Sequence, residues 1–205
     1  GKPLTSELIR KTLHLTLMGS DLLAKETIVA GGTQACDPHC IGFGALKAHW
    51  PIVLDVFPVS MKSRYFADIT RTVVKGKPSS KVRKMYAVVK EGQEIAFQML
   101  RPGVNGQQVH NAILDYFKKE GFPTGEIDGR RQGFFHGTGH GLGLEIHEPP
   151  RVSTTPDVLQ AGTVVTIEPG LYYLDAGGIR IEDDVLITET GCRNLTSFPK
   201  LLELD

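Results

Sequence analysis

Residues 134–188 read FFHGTGHGLGLEIHEPPRVSTTPDVLQAGTVVTIEPGLYYLDAGGIRIEDDVLIT, and the way apolar runs alternate with glycines in this stretch decides the fold class. The runs at 142–147, 163–168, 171–174 and 179–188 are short, rich in β-branched and aromatic residues and separated by glycines, which predicts strands. Upstream the period changes. Val82, Met85, Val89, Ala96 and Met99 recur at helical spacing between a start at Ser79 or Ser80 and a stop at Pro102-Gly103. Asn105, followed three residues later by Gln108, predicts a capping box for a further helix with Val109, Ala112, Ile113, Tyr116 and Phe117 turned inward and Gly121 as terminator.

Nearer the start, residues 51–59 and 65–74 are two β-rich runs joined by polar residues 60–64, which predicts a hairpin. Residues 27–30 predict a short strand leading into a loop punctuated by Gly31, Gly32 and Pro38. Leu8, Ile9, Leu13 and Met18 predict a helix capped by Thr5 or Ser6 and ending at Gly19. Helices first and strands after give an α+β class. No low-complexity segment or Pro- or Ser-rich linker divides the chain, so residues 1–205 are expected to form one domain.

Lys and Arg total 23 and Asp and Glu total 23, so no net field favours nucleic acid or an anionic membrane surface. The apolar stretches 51–59 and 158–167 are too short to span a bilayer, and residues 1–19 lack the apolar core of a signal peptide. Cys36, Cys40 and Cys192 form an odd set without CxxC spacing, which reads as reduced thiols in a cytoplasm. Cys36 and Cys40 flank His39, but the third cysteine is far away in sequence, which weighs against a structural zinc site.

Asp55 lies within Ile52-Val53-Leu54-Asp55-Val56-Phe57, and Glu168 follows Val164-Val165-Thr166-Ile167. Neither run alternates apolar with polar residues, so both acids are expected to be buried. Buried carboxylates are costly unless paired, hydrogen-bonded or bound to metal, and Asp55, Asp68, Glu168 and Glu182 have few adjacent bases. A pair of divalent cations would compensate them. Simple ion pairs, Arg71 with Asp68 or Arg180 with Glu182, are the competing account. Asp55 and Asp68 stand on the two arms of one hairpin and Glu168 and Glu182 in a second strand-turn-strand unit, so two similar units could face each other across a pseudo-twofold axis.

His136, His140 and His147 lie among Gly137, Gly139, Gly141 and Gly143, where the backbone approaches a ligand closely. The odd spacing of His140 and His147 sets them on opposite faces of an ideal strand, so a glycine-induced bend is needed to unite them. No His-Glu-x-x-His, Gly-x-Ser-x-Gly or P-loop occurs, and the glycine run misses the dinucleotide fingerprint.

These residues resemble the pita-bread metallopeptidases, which include methionine aminopeptidase, prolidase and aminopeptidase P and whose metal ligands run Asp, Asp, His, Glu, Glu. The similar positions here are Asp55 in Val-Leu-Asp, Asp68 in Asp-Ile-Thr-Arg-Thr, His140 in Gly-His-Gly-Leu-Gly, Glu168 in Ile-Glu-Pro-Gly and Glu182 in Ile-Arg-Ile-Glu-Asp-Asp. His136, four before the ligand histidine, and Arg180, two before the last glutamate, resemble the proline-directed branch. Asp37-Pro38-His39 is similar to the segment carrying the family's substrate-binding histidine, and His147 in His-Glu-Pro to its second active-site histidine.

The resemblance implies a curved antiparallel sheet with helices outside, and an exopeptidase that hydrolyses the Xaa-Pro bond through a hydroxide bridging two divalent ions. It implies that Asp68 and Glu182 bridge the ions, that Asp55 chelates one, and that His140 and Glu168 complete the other. By the same resemblance Glu168 shuttles the proton, His39 and His147 contact substrate, His136 belongs to the site, Arg180 supports the ligands and a homodimer forms. One imidazole among oxygens favours manganese or cobalt, then zinc. Methionine aminopeptidase is the alternative enzyme, and a non-catalytic binding module the alternative class. Asp55 is followed by Val where relatives carry a small residue, the hairpin to Asp68 is about two residues longer, and the family's N-terminal part is expected to be missing.

Overall fold

Helix α1 (Ser6–Met18) starts where the Thr5 hydroxyl accepts a hydrogen bond from the Leu8 amide at 3.2 Å, and it keeps Leu8, Leu15 and Met18 exposed. In this computed structural model, which describes residues 3–205, α2 (Ser80–Met99) is capped by Ser79 and α3 (Gly106–Lys119) by Asn105. The Asn105 carboxamide accepts from the Gln107 amide at 2.8 Å, while the Gln108 amide goes to the Asn105 carbonyl at 3.0 Å. The cap is therefore a simple side-chain cap on the second helical residue; the reciprocal box is not formed.

The strands are β1 (Leu22–Leu23), β2 (Ile28–Gly31), β3 (Ile52–Val56), β4 (Val59–Ser60), β5 (Ile69–Lys75), β6 (Gly125–Ile127), β7 (Arg130–Gln132) and β8 (Gly139–Gly141). They continue with β9 (Glu148–Val152), β10 (Val164–Ile167), β11 (Gly170–Tyr173), β12 (Gly177–Arg180), β13 (Asp183–Ile187), β14 (Cys192–Asn194) and β15 (Glu203–Leu204). One sheet has the order β15-β5-β3-β2 and a second the order β14-β13-β10-β8-β9, with β11-β12 as a separate hairpin. The pairings are antiparallel except β15 with β5.

The first sheet meets the β11–β12 hairpin, and the link from it to β13, along a polar seam. The Glu182 amide donates to the Thr70 carbonyl at 3.1 Å, and the Thr72 hydroxyl donates to the Arg180 carbonyl at 2.8 Å while accepting from the Arg180 amide at 2.9 Å. Arg71 lies beneath this seam, fully engaged: it donates to the Glu182 carbonyl at 2.6 Å, to Asp183 at 2.7 Å, and to the Phe198 and Pro199 carbonyls at 2.7 and 3.2 Å. Helices α2 and α3 cover the strands from outside, burying Met85, Val89, Ile113 and Phe117 against Ile167, Ile179 and Val185 in one apolar cluster. A smaller cluster of Ile28, Ala30, Ala35 and Val53 sits behind β2 and β3.

Two predicted strands are corrected. Residues 142–147 form a bend between β8 and β9, because Gly141 and Gly143 pass so close to the returning chain that an added Cβ would lie 2.6 Å from the Pro149 carbonyl and 2.6 Å from the Glu148 carboxylate. The run 179–188 is broken at Ile181 and Glu182, where the chain leaves its partner β11 and β13 takes up pairing with β10.

Candidate functional site

Both hairpin acids sit where the seam is tightest. Asp55 lies in β3 opposite Thr70, and Asp68 directly precedes β5 with its amide held by the Asp184 carboxylate at 3.1 Å. His140 is the middle residue of β8, placed there by Gly139, whose Cβ would fall 1.8 Å from the Thr166 carbonyl. Glu168 follows β10 and Glu182 fills the break between β12 and β13. One cavity of about 480 Å³ gathers these five together with His39, His136, His147 and Arg180.

Within it, ligand atoms of Asp68, His140 and Glu182 lie within 4.8 Å of one another. The His140 Nε2 atom is 3.6 Å from Glu168 and 3.9 Å from Asp68. Its Nδ1 faces the Gly141 carbonyl at 3.1 Å, which assigns the proton to Nδ1 and leaves the Nε2 lone pair toward the acids. The bend at 142–147 brings the exposed His147 ring to 4.3 Å from that of His140, so the parity that separates them on a straight strand does not hold. His39 is also exposed, on the loop after the turn Gly32–Cys36.

The ion pairs differ from those weighed in the sequence. Arg71 pairs with Asp183, and Arg180 pairs with Asp55 at 2.7 Å, so neither forms an ion pair with Asp68 or Glu182. Arg180 also donates to the Tyr172 hydroxyl at 3.0 Å, and that hydroxyl lies 2.7 Å from His136 Nε2. Because His136 Nδ1 is taken by the Gly137 carbonyl at 2.8 Å, the chain of donors runs from Arg180 through Tyr172 to His136. Tyr172, Thr70, whose hydroxyl donates to Glu182, and Arg151 on the cavity wall were not found from the sequence. A tyrosine inside a fully apolar strand needs a partner for its hydroxyl; that was the one available signal.

Burial raises Asp68 and Glu182 well above the ordinary carboxylate range, and neighbouring acids add to it; burial lifts Glu168 to about 8. Burial lowers His140 to about 4 and His136 to about 3. Asp55 Oδ1 and Asp68 Oδ1 are buried without a hydrogen-bond partner. Unpartnered carboxylate oxygens beside a free imidazole lone pair form a donor set that fits hard or borderline divalent cations.

A pH effect follows. Above the ordinary histidine value of about 6.5 the histidines are neutral both folded and unfolded, whereas acids protonated in the fold are ionised when unfolded. The metal-free protein is therefore expected to lose stability as pH rises from 6.5 toward 8, the range ending at the Glu168 value. Thermal unfolding with chelator should show a falling midpoint, and excess Mn2+ should flatten the slope; a midpoint that rises with pH contradicts the protonated cluster.

Residues 4–189 match Metallopeptidase family M24. The chain is 38% identical over 199 residues to the Xaa-Pro dipeptidase of Pyrococcus furiosus, covering 96% of this chain and 54% of that protein. The solved prolidase from Pyrococcus furiosus aligns with a TM-score of 0.88 at 33% identity, over 97% of this chain and 57% of that one. The X-Pro aminopeptidase from Thermotoga maritima gives 0.88 at 32% identity, over 98% and 56%. The chain spans about half the length of the curated relatives it matches, and the α+β pita-bread fold it shares with them is the one expected from its motifs. With the match running through every segment that lines the acid and histidine cavity, the chain belongs to metallopeptidase family M24.

Proposed function

We propose that residues 1–205 form a catalytic domain that hydrolyses the bond between a residue and a following proline, with two divalent ions. The observation that carries this reading is the pair of buried, unpartnered oxygens of Asp55 and Asp68 on the cavity that also holds His140, Glu168 and Glu182. Asp68 and Glu182 would be shared by both ions, Asp55 would hold one, and His140 with Glu168 the other; manganese or cobalt suits the set, then zinc. Such ions acidify water and polarise a peptide carbonyl.

The chain's own groups do the rest. Glu168, raised to about 8 when no cation faces it, takes and returns the proton of the attacking water. His39 and His147, exposed on the cavity, donate to the carbonyl oxygen as negative charge develops there. Arg180 holds the second Asp55 oxygen and, through Tyr172, orients His136 beside Glu168. Proline preference is supported by His136 and Arg180 together with relatives named for Xaa-Pro substrates. Cys36, Cys40 and Cys192 are free thiols, which supports placement in a reducing cytoplasm.

Arg151 is the other cation lining the cavity, and its guanidinium makes no ion pair or hydrogen bond among the described residues. It is suited to the terminal carboxylate of a short peptide. Arg151→Gln is expected to raise KM for an Xaa-Pro dipeptide about tenfold, the worth of one charged hydrogen bond, with kcat nearly unchanged. An unaltered KM removes Arg151 from substrate binding.

The deciding experiment compares an Xaa-Pro dipeptide, an Xaa-Pro tripeptide and a Met-Ala tripeptide with Mn2+-loaded protein. Turnover of proline peptides, lost with chelator and restored by Mn2+ or Co2+, is the expected result. Turnover of Met-Ala alone would identify a methionine aminopeptidase, and absence of both turnover and ion binding would identify a binding module.

A further inference from the structure

Gln93 sits within α2 with its side chain fully buried. Its Nε2 lies 2.8 Å from the Ile167 carbonyl and 3.4 Å from the Ile181 carbonyl, while its Oε1 has no partner. Those carbonyls belong to the residues directly before Glu168 and Glu182. The amides of the same two peptide units are held from elsewhere, Glu168 on the Thr138 carbonyl at 2.7 Å and Glu182 on the Thr70 carbonyl at 3.1 Å.

Each glutamate is thus attached to a peptide plane fixed at both its N–H and its C=O, and one side chain serves both C=O groups. A primary amide carries two hydrogens on one nitrogen, so it alone among uncharged side chains of this size satisfies two carbonyls with a single planar group. An apolar residue would remove the unpaired Oε1, but it would also take the side-chain donor from both carbonyls, of which Ile181 lies outside the β10–β13 ladder that Ile167 shares with Asp183. The neighbouring Gly92 sets the depth of the helix: an added Cβ there would meet the Phe117 ring at 2.6 Å, so α2 lies hard against α3 at this turn.

We propose that Gln93 is a positioning residue of the metal centre, its amide fixing the separation of peptides 167–168 and 181–182 and hence of the Glu168 and Glu182 carboxylates. The inference rests on the metal-site reading above.

Gln93→Met keeps the volume and removes both donors. Calorimetric titration of Mn2+ into chelator-stripped protein should show affinity about tenfold or more weaker than wild type, the usual effect of losing a group that orients a ligand. The folded circular dichroism spectrum should persist, and on an Xaa-Pro dipeptide kcat should fall while KM stays near wild type. Wild-type Mn2+ affinity in folded Gln93→Met overturns the inference and leaves the metal-site reading standing. Wild-type protein that binds no Mn2+ overturns both.

If Gln93→Met does not fold, the wild-type protein decides. A tie that strengthens ion binding must be strengthened by it to the same degree, so Zn2+ should slow hydrogen exchange of both Gln93 side-chain amide protons by about tenfold, read by NMR. Unchanged exchange overturns the proposal.

Discussion

With Glu168 replaced by Gln, the protein is expected to bind metal at wild-type stoichiometry and to turn over Xaa-Pro peptides about 10²- to 10⁴-fold more slowly. The carboxamide has the same shape and still offers an oxygen toward His140, which the native carboxylate approaches to 3.6 Å. What it lacks is the capacity to take a proton at neutral pH, and no neighbour replaces that capacity. His136 is 3.9 Å away on the other side, but its Nδ1 proton is committed to the Gly137 carbonyl, and burial lowers it to about 3. His140 is lowered to about 4 for the same reason. Steady-state kinetics paired with elemental analysis of bound metal checks both halves: near-normal turnover removes Glu168 as proton carrier, and a lost ion would mean that the charge of Glu168 is required to hold the metal it shares with His140.

Asp68→Asn should do the opposite, abolishing ion binding at the shared position and lowering turnover by several orders of magnitude. Asp68 is flanked by Glu182 and His140 within 4.8 Å, and one of its buried oxygens has no other partner. An uncharged amide cannot balance a divalent ion there, and its NH2 would point hydrogens at it. The metal-free variant should nonetheless be at least as stable as wild type. Burial and the neighbouring acids raise Asp68 and so disfavour its ionised form in the metal-free fold, and the uncharged variant relieves that cost as pH approaches 8. Calorimetric unfolding in chelator tests this; a variant much less stable than wild type would mean that the native carboxylate is ionised and paired.

The acids and histidines that line the cavity were more legible in the sequence than the strands around them. Continuous apolar runs marked Asp55 as buried, which it is, and Glu168 likewise, although its side chain stays 18% exposed on the cavity; glycines marked the histidine segment, because both signals are local. The hairpin 51–59 and 65–74 is present but shorter, as β3 and β5, since Val59 and Ser60 pair with β1 as β4 and the connection extends through Asp68. The bend at 142–147 escaped because Leu142, Leu144 and Ile146 carry strand propensity, while what turns the chain is the close passage of Pro149 and Glu148 past Gly141 and Gly143. Tyr172, Thr70 and Gln93 escaped for a related reason. Each is a polar group whose need for a partner is legible, but the partner stands 36, 112 and 74 residues away in the chain.

Arg71 gives the molecule a temporal order as well as a spatial one. The guanidinium that clasps the backbone of Glu182 also grips Phe198 and Pro199, and β5 gains its outer neighbour only with Glu203 and Leu204. Translation delivers these residues after every acid and imidazole of the cluster. A nascent chain halted before residue 198 can join Arg71 to Glu182 and Asp183 but lacks its ties to Phe198 and Pro199, and β5 lacks β15 until residue 204 is made.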